Sequence, residues 1–253
     1  MSKELNIKSS TIEKGLELIK DFTSKLIGPT IEEVGLLLSD KIKFFRFKNQ
    51  INILIKAQEY VKKKNIKIKE IPTKILVPLL ENASLEENEE MQEKWSFMIG
   101  NLADSDKNLQ NQIFPYLLSQ ISLNEFEKLS EFSKKEENFI FNLRRLSKLK
   151  NEKENYYTSE YRDLYSRINT VKQEGFILEG IEEYEYSNLE RLGLLRQLPP
   201  KIIIDELEIE HFQQEGSEYY PIEAEYDPDD YDYRITSLGS KFLEACEEKK
   251  ASG

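Results

Sequence analysis

The sequence predicts a mainly α-helical protein. A helical bundle built around one long helix is expected in residues 1–150, and a winged-helix-like α+β module in residues 151–253. Three observations carry that prediction. Capping boxes open apolar stripes of helical period through the first half. One stripe runs from Thr30 past Tyr60 with no proline and a single glycine, Gly35. After about Asp163 the pattern changes to short helices, an apolar run and a strand-like alternation.

Ser10-Thr-Ile-Glu13 is the first box, followed by a stripe of Ile12, Leu16, Ile19 and Leu26 that stops at Gly28-Pro29. Thr30-Ile-Glu-Glu33 opens the long helix: Thr30 can accept from the Glu33 amide while the Glu33 carboxylate reaches back to the amide of Thr30. Ile31, Val34, Leu38, Ile42 and Phe45 then recur at helical spacing, continued by Ile51, Leu54, Ile55 and Val61. At about 1.5 Å per residue this helix would be roughly 50 Å long and would need flanking helices for support. A short helix is expected from Ile71-Pro72-Thr73 through Leu80, bent or restarted at Pro78. Ser84-Leu-Glu-Glu87 reads as a third box, opening a helix with Met91, Trp95, Met98 and Ile99 on one face. Helices around 109–121 and 123–132 follow, and the polar stretch 133–155 is expected to be helical in part and to contain a hinge or linker.

In the second half, helices are expected around 161–175 and 186–192, the latter stopped by Gly193. Residues 194–204 and 231–236 are expected to pair as antiparallel strands. Leu238, Phe242, Leu243 and Cys246 mark the inward face of a terminal helix packed beside them. Between the strands lies a long acidic, tyrosine-rich segment, 206–232.

Charge follows the same division. Of 253 residues, 33% are charged and 39% hydrophobic, with a net charge of -11. Residues 151–253 hold 11 Lys and Arg against 25 Asp and Glu, a balance of -14, which leaves +3 for residues 1–150. Such a C-terminal half repels nucleic acid and anionic lipid unless its charges are locally segregated. No apolar run is long enough to span a bilayer. Met1-Ser-Lys-Glu-Leu-Asn6 lacks the basic-then-apolar pattern of a signal peptide, and the single cysteine, Cys246, cannot form an intramolecular disulfide. A cytoplasmic location is the expectation.

Catalytic signatures are nearly absent, so neither an enzyme nor a bound cofactor or metal is expected. The one histidine, His211, lies in the acidic segment and reads as a surface residue. Glu86, Glu87, Glu89, Glu90 and Glu93 sit at a helix start and complement its dipole. Asp227, Asp229, Asp230 and Asp232 lack the glycine and the closing glutamate of a calcium loop. Two features of the long helix stand out. Lys41, Lys43, Arg46 and Lys48 interleave with Phe44, Phe45 and Phe47, a mixture suited to phosphates or an anionic surface, or else a solvated face over core aromatics. Asn49 and Asn52 interrupt the apolar stripe and need hydrogen-bond partners if buried. Lys43, Arg46, Lys48 and Asn49 are the candidate binding residues.

Several phrases together carry a resemblance. They are Gly28-Pro29, Glu33 with Gly35-Leu-Leu-Leu-Ser-Asp-Lys-Ile42, then Arg46, Asn49, Ile53-Leu54 and Lys56-Ala57. Farther on come Ile71-Pro72, Pro78-Leu-Leu-Glu81, Ala83-Ser-Leu-Glu-Glu87, Gln92-Glu-Lys-Trp95 and residues 101–104. Asn188-Leu-Glu-Arg-Leu-Gly-Leu194 and Ile235-Thr-Ser-Leu-Gly239 before Phe242 complete the set. The chain resembles the Abi-alpha family of bacterial proteins over nearly its whole length. Gly100 and the 206–232 segment depart from the family pattern. The resemblance implies phage defence by abortive infection and no particular mechanism. The expected function is therefore a cytoplasmic bacterial defence protein acting by binding, with a protein partner or a second copy of itself. The other reading is a winged-helix nucleic-acid-binding regulator, which the acidic balance disfavours.

Overall fold

The computed structural model describes residues 14, 17, 19–26, 44–151, 158–174, 180–198 and 233–249. Among these the chain is mainly helical, with a small two-stranded sheet. Contacts divide it into two compact units, Met1–Ser130 with Ser237–Gly253, and Glu131–Thr236. This grouping differs from the consecutive division at residue 150 in placing the terminal helix among the N-terminal elements.

In the first unit, residues 19–26 are helical and bury Ile19 and Leu26, as the stripe required, with Phe22 between them. Helix α1 (Phe44–Lys63) lies where the second part of the long helix was expected. Its expected start at Thr30 lies outside the described residues. It buries Ile51, Ile53, Leu54, Ala57, Tyr60 and Val61, and it ends where Asn65 takes a positive φ of 51°. There the amides of Asn65 and Ile66 return to the carbonyls of Lys62 and Val61, a Schellman stop with asparagine in the glycine position.

Helix α2 (Thr73–Ala83) runs through Pro78 without a break and buries Ile75, Leu76, Leu79, Leu80 and Ala83. Ser84 is the residue that closes this helix, not the one that opens the next. The expected box at Ser84 does not form, because its hydroxyl donates to Glu81 O at 2.6 Å and accepts from Arg46. Asn88 caps helix α3 (Glu89–Ala103) instead, accepting from the amides of Glu90 and Met91. Helix α3 buries Met91, Trp95, Met98 and Ile99 as expected. Helix α4 (Ile113–Ser119) is shorter than the 109–121 expectation and is led in by Asn111, whose side chain accepts from the Ile113 amide.

Helix α5 (Leu123–Asn151) supplies residues to both units. It opens on a capping box that the sequence reading missed: Ser122 accepts from the Glu125 amide, and Glu125 accepts from the Ser122 amide. The helix continues through the polar stretch, so no hinge interrupts residues 133–151. The rest of the expected hinge, 152–157, lies outside the described residues. Polar composition is no barrier to a helix that buries Phe126, Leu129, Phe132 and Phe139.

In the second unit, helix α6 (Ser159–Glu174) buries Leu164 and Ile168. Helix α7 (Glu183–Arg191) starts on a capping box of Glu182 and Glu185 and stops at Gly193, φ 70°. Strands β1 (Leu195–Gln197) and β2 (Tyr233–Ile235) pair antiparallel, Leu195 opposite Ile235. Thr236 donates to Gly193 O at 2.6 Å, and Tyr186 stacks on Tyr233 at 4.9 Å. Buried Glu136 of α5 accepts from Arg234 and from the Ile235 amide, which ties the strand pair to the helix.

Helix α8 (Ser237–Cys246) belongs to the first unit and packs on α3 and α4. Phe242 sits between Phe114 and Phe126, with ring centroids 6.4 and 6.2 Å away.

Candidate functional site

Lys43 lies outside the described residues, whereas Arg46, Lys48 and Asn49 lie on the first turns of α1. A helix leaves its last carbonyls without internal partners. In α2 the carbonyls of Asn82 and Ala83 are met by the amides of Leu85 and Glu86, while those of Leu80 and Glu81 accept from α1. Gln50 Nε2 donates to Leu80 O at 3.0 Å, and Arg46 Nη2 donates to Glu81 O at 3.4 Å. Arg46 Nε donates to Ser84 Oγ at 3.0 Å. Asn49 Nδ2 donates to Ser84 O at 3.3 Å and to Glu86 O at 2.9 Å. Positions 46, 49 and 50 share a face, which is why these three reach one target. The Arg46 guanidinium also lies at the negative end of the α2 dipole. Asn49 is buried, Arg46 half-buried and Lys48 exposed; Asn52, the other expected amide, is half-buried. The structure thus brings Arg46 and Asn49 together on one joint and leaves Lys48 out of it.

A second joint, unnoticed in the sequence, sits at the other end of α1. Fully buried Asn101 donates from Nδ2 to the carbonyls of Glu244, Ala245 and Glu247, at 3.3, 3.0 and 2.8 Å. Its Oδ1 accepts from Tyr60 Oη at 2.9 Å, and the same oxygen of Tyr60 accepts from the Lys249 amide at 2.9 Å. Fully buried Asp104 pairs with Lys249 Nζ at 2.9 Å. Outside this pair, Lys63 and Lys64 grip Glu248 at 3.0 and 3.1 Å. Burial pushes the Tyr60 hydroxyl above its usual range. The hydrogen bond to Asp104 holds Lys249 above its usual range, and the bonds from Lys63 and Lys64 hold Glu248 below its own. The sequence signal was the Gly100-Asn101 pair near a helix end. Only the packing tells that the amide serves a different helix, 143 residues away in the chain.

Both joints use side-chain donors to finish a neighbour's C-terminus. Cys246 is fully buried, and burial with the nearby Glu247 charge pushes its thiol well up, which disfavours the thiolate a nucleophile needs. Among the described residues no group of three His, Cys, Asp or Glu is placed to hold a metal ion. No helix there is long and apolar enough to cross a membrane. His211 and the aspartates at 227–232 lie outside the described residues.

A family model described as abortive infection alpha matches residues 39–246. No curated protein and no solved structure matches the chain.

Proposed function

The chain belongs to the abortive infection alpha family, and on that premise we propose that it is a bacterial defence protein that ends phage infection by binding a partner in the cytoplasm. The match over residues 39–246 carries the reading, because it takes in described elements of both units. A cysteine kept as a buried thiol suits a reducing compartment. The partner is a protein or a second copy of this chain.

Arg46, Asn49, Ser84, Asn101 and Asp104 all fall within the phrases that carry the resemblance, and all of them join helices. The recognisable part of the sequence therefore supports a scaffold role, and binding is assigned to surface around it. The winged-helix regulator draws no support from the family match.

The experiment is expression from a plasmid in a phage-sensitive bacterium, with plaque counts against an empty-vector control. Plaque numbers or sizes should fall for at least one phage in a broad panel. Equal plating across the whole panel would overturn the reading.

A further inference from the structure

The second half of α5 departs from the charge of the rest of the chain. Between Glu137 and Glu152 there is no acidic residue, while Arg144, Arg145, Lys148 and Lys150 are basic, in a protein of net charge -11. The helix separates this charge from its apolar side chains. Phe139 is buried, and Leu143 and Leu146 are half-buried on the same side. Positions 141, 144, 145 and 148 fall on the opposite face, at one- and two-turn spacing. That face is exposed, and it carries an aromatic ring one turn before the cations: Phe141 is 61% exposed, with exposed Glu137 one turn before it. Arg145 is paired with Glu160 of α6. Arg144 and Lys148 are exposed, with no ion-pair partner among the described residues.

The inward face of this helix already holds its core residues, so the Phe141 ring stands free to stack on a ligand. A ring with cations one and two turns beyond it has the composition that binds a nucleic-acid strand, with phosphates on the cations and a base stacked on the ring. A membrane surface asks for a different arrangement, a broad apolar face turned outward with cations at its borders. Here the leucines turn inward, and a single ring faces out. We propose that the Phe141–Arg144–Lys148 face of α5 binds single-stranded nucleic acid. The negative total charge of the chain does not oppose this, because attraction within a Debye length of about 10 Å is set by the local charges. The inference stands independently of the defence reading, since it concerns binding in a purified system.

The test uses the full chain and fluorescein-labelled 20-nucleotide oligonucleotides of DNA and of RNA, read by anisotropy at 50 and 200 mM salt. Binding to at least one is expected, weaker at the higher salt. Arg144→Glu with Lys148→Glu should weaken it at least tenfold, and Phe141→Ala several-fold. Lys74→Glu, an exposed change of the same charge type in the first unit, should leave it unchanged. Circular dichroism melting confirms that each variant is folded. No binding to either oligonucleotide at 50 mM salt would overturn the proposal. So would binding that Lys74→Glu weakens as much as the α5 changes. Sedimentation with phosphatidylglycerol vesicles, lost in the same α5 variants while neither oligonucleotide binds, would assign the face to a membrane and overturn it too.

Discussion

The ring of Tyr60 occupies the space that a side chain at position 100 would need: a Cβ on Gly100 would stand 2.5 Å from Tyr60 Cδ1 and 2.7 Å from Cε1. The ring cannot step aside. It is 4% exposed, packs edge-on against Phe97, and is held at its hydroxyl by Asn101 and by the Lys249 amide. Gly100 is thus what lets α1 and α3 approach closely enough for Tyr60 to reach the second joint.

Gly100→Ala should therefore destabilise the protein despite the better helix propensity of alanine. Overpacking costs about 1–3 kcal/mol, against about 1 kcal/mol gained in propensity. Urea unfolding of the two proteins measures the difference. A stabilised Gly100→Ala would show that the ring moves freely.

The same contact shows where sequence reading reached and where it stopped. Helical period found α1, α3 and α8 because each buries a regular stripe, and Gly193 and Asn65 mark stops that local chemistry explains. The box at Ser84 failed because its hydroxyl was taken by Arg46, a residue 38 positions earlier. The stretch 133–151 was read as only partly helical because its buried positions are widely spaced, and one of them is Glu136, whose partner Arg234 lies 98 positions on. Asn49 was flagged correctly as an amide in need of partners. Asn101 was not, since its carbonyl partners belong to a helix at the far end of the chain. Local signals were legible, and partners distant in sequence were not.

Asn101→Asp should cost more than Gly100→Ala. It replaces the amide donor by a carboxylate facing three carbonyls at the end of α8, against the dipole. Leaving such buried groups unmet costs about 1–3 kcal/mol, and more when one of them is charged. Thermal melting at neutral pH should show a clear drop, and a melting temperature equal to that of the parent would remove the joint from the stabilising contacts.

Stability should also fall in alkali. Tyr60 and Lys249 both bind their protons more tightly in the folded chain than in the unfolded one, their values being raised. Their contribution is then complete below the unfolded values, about 10 for tyrosine and about 10.4 for lysine. It is lost as pH rises through the higher folded values. Melting followed from pH 8 to 11.5 should show the decline starting near pH 10 in the parent, and a shallower decline in Tyr60→Phe. Identical slopes would contradict the assignment to Tyr60.

Arg46→Ala and Asn49→Ala address the candidate binding residues directly. Asn49 is buried and gives two hydrogen bonds to carbonyls, so its loss should cost about 1–2 kcal/mol. Half-buried Arg46 should cost about 1 kcal/mol or less. If the joint is their whole task, phage protection should fall only in proportion to the melting temperature. Protection abolished in a fully folded Arg46→Ala would make that face a binding site as well.

Survival of infected cells is the most direct measurement of abortive defence. Cells expressing the protein are infected at more than one phage per cell, then plated for survivors and assayed for released phage. The expected result is that infected cells die and release few or no progeny, while the same culture infected at low multiplicity keeps growing. Infected cells that survive and divide, or that release phage at the level of the empty-vector control, would contradict it.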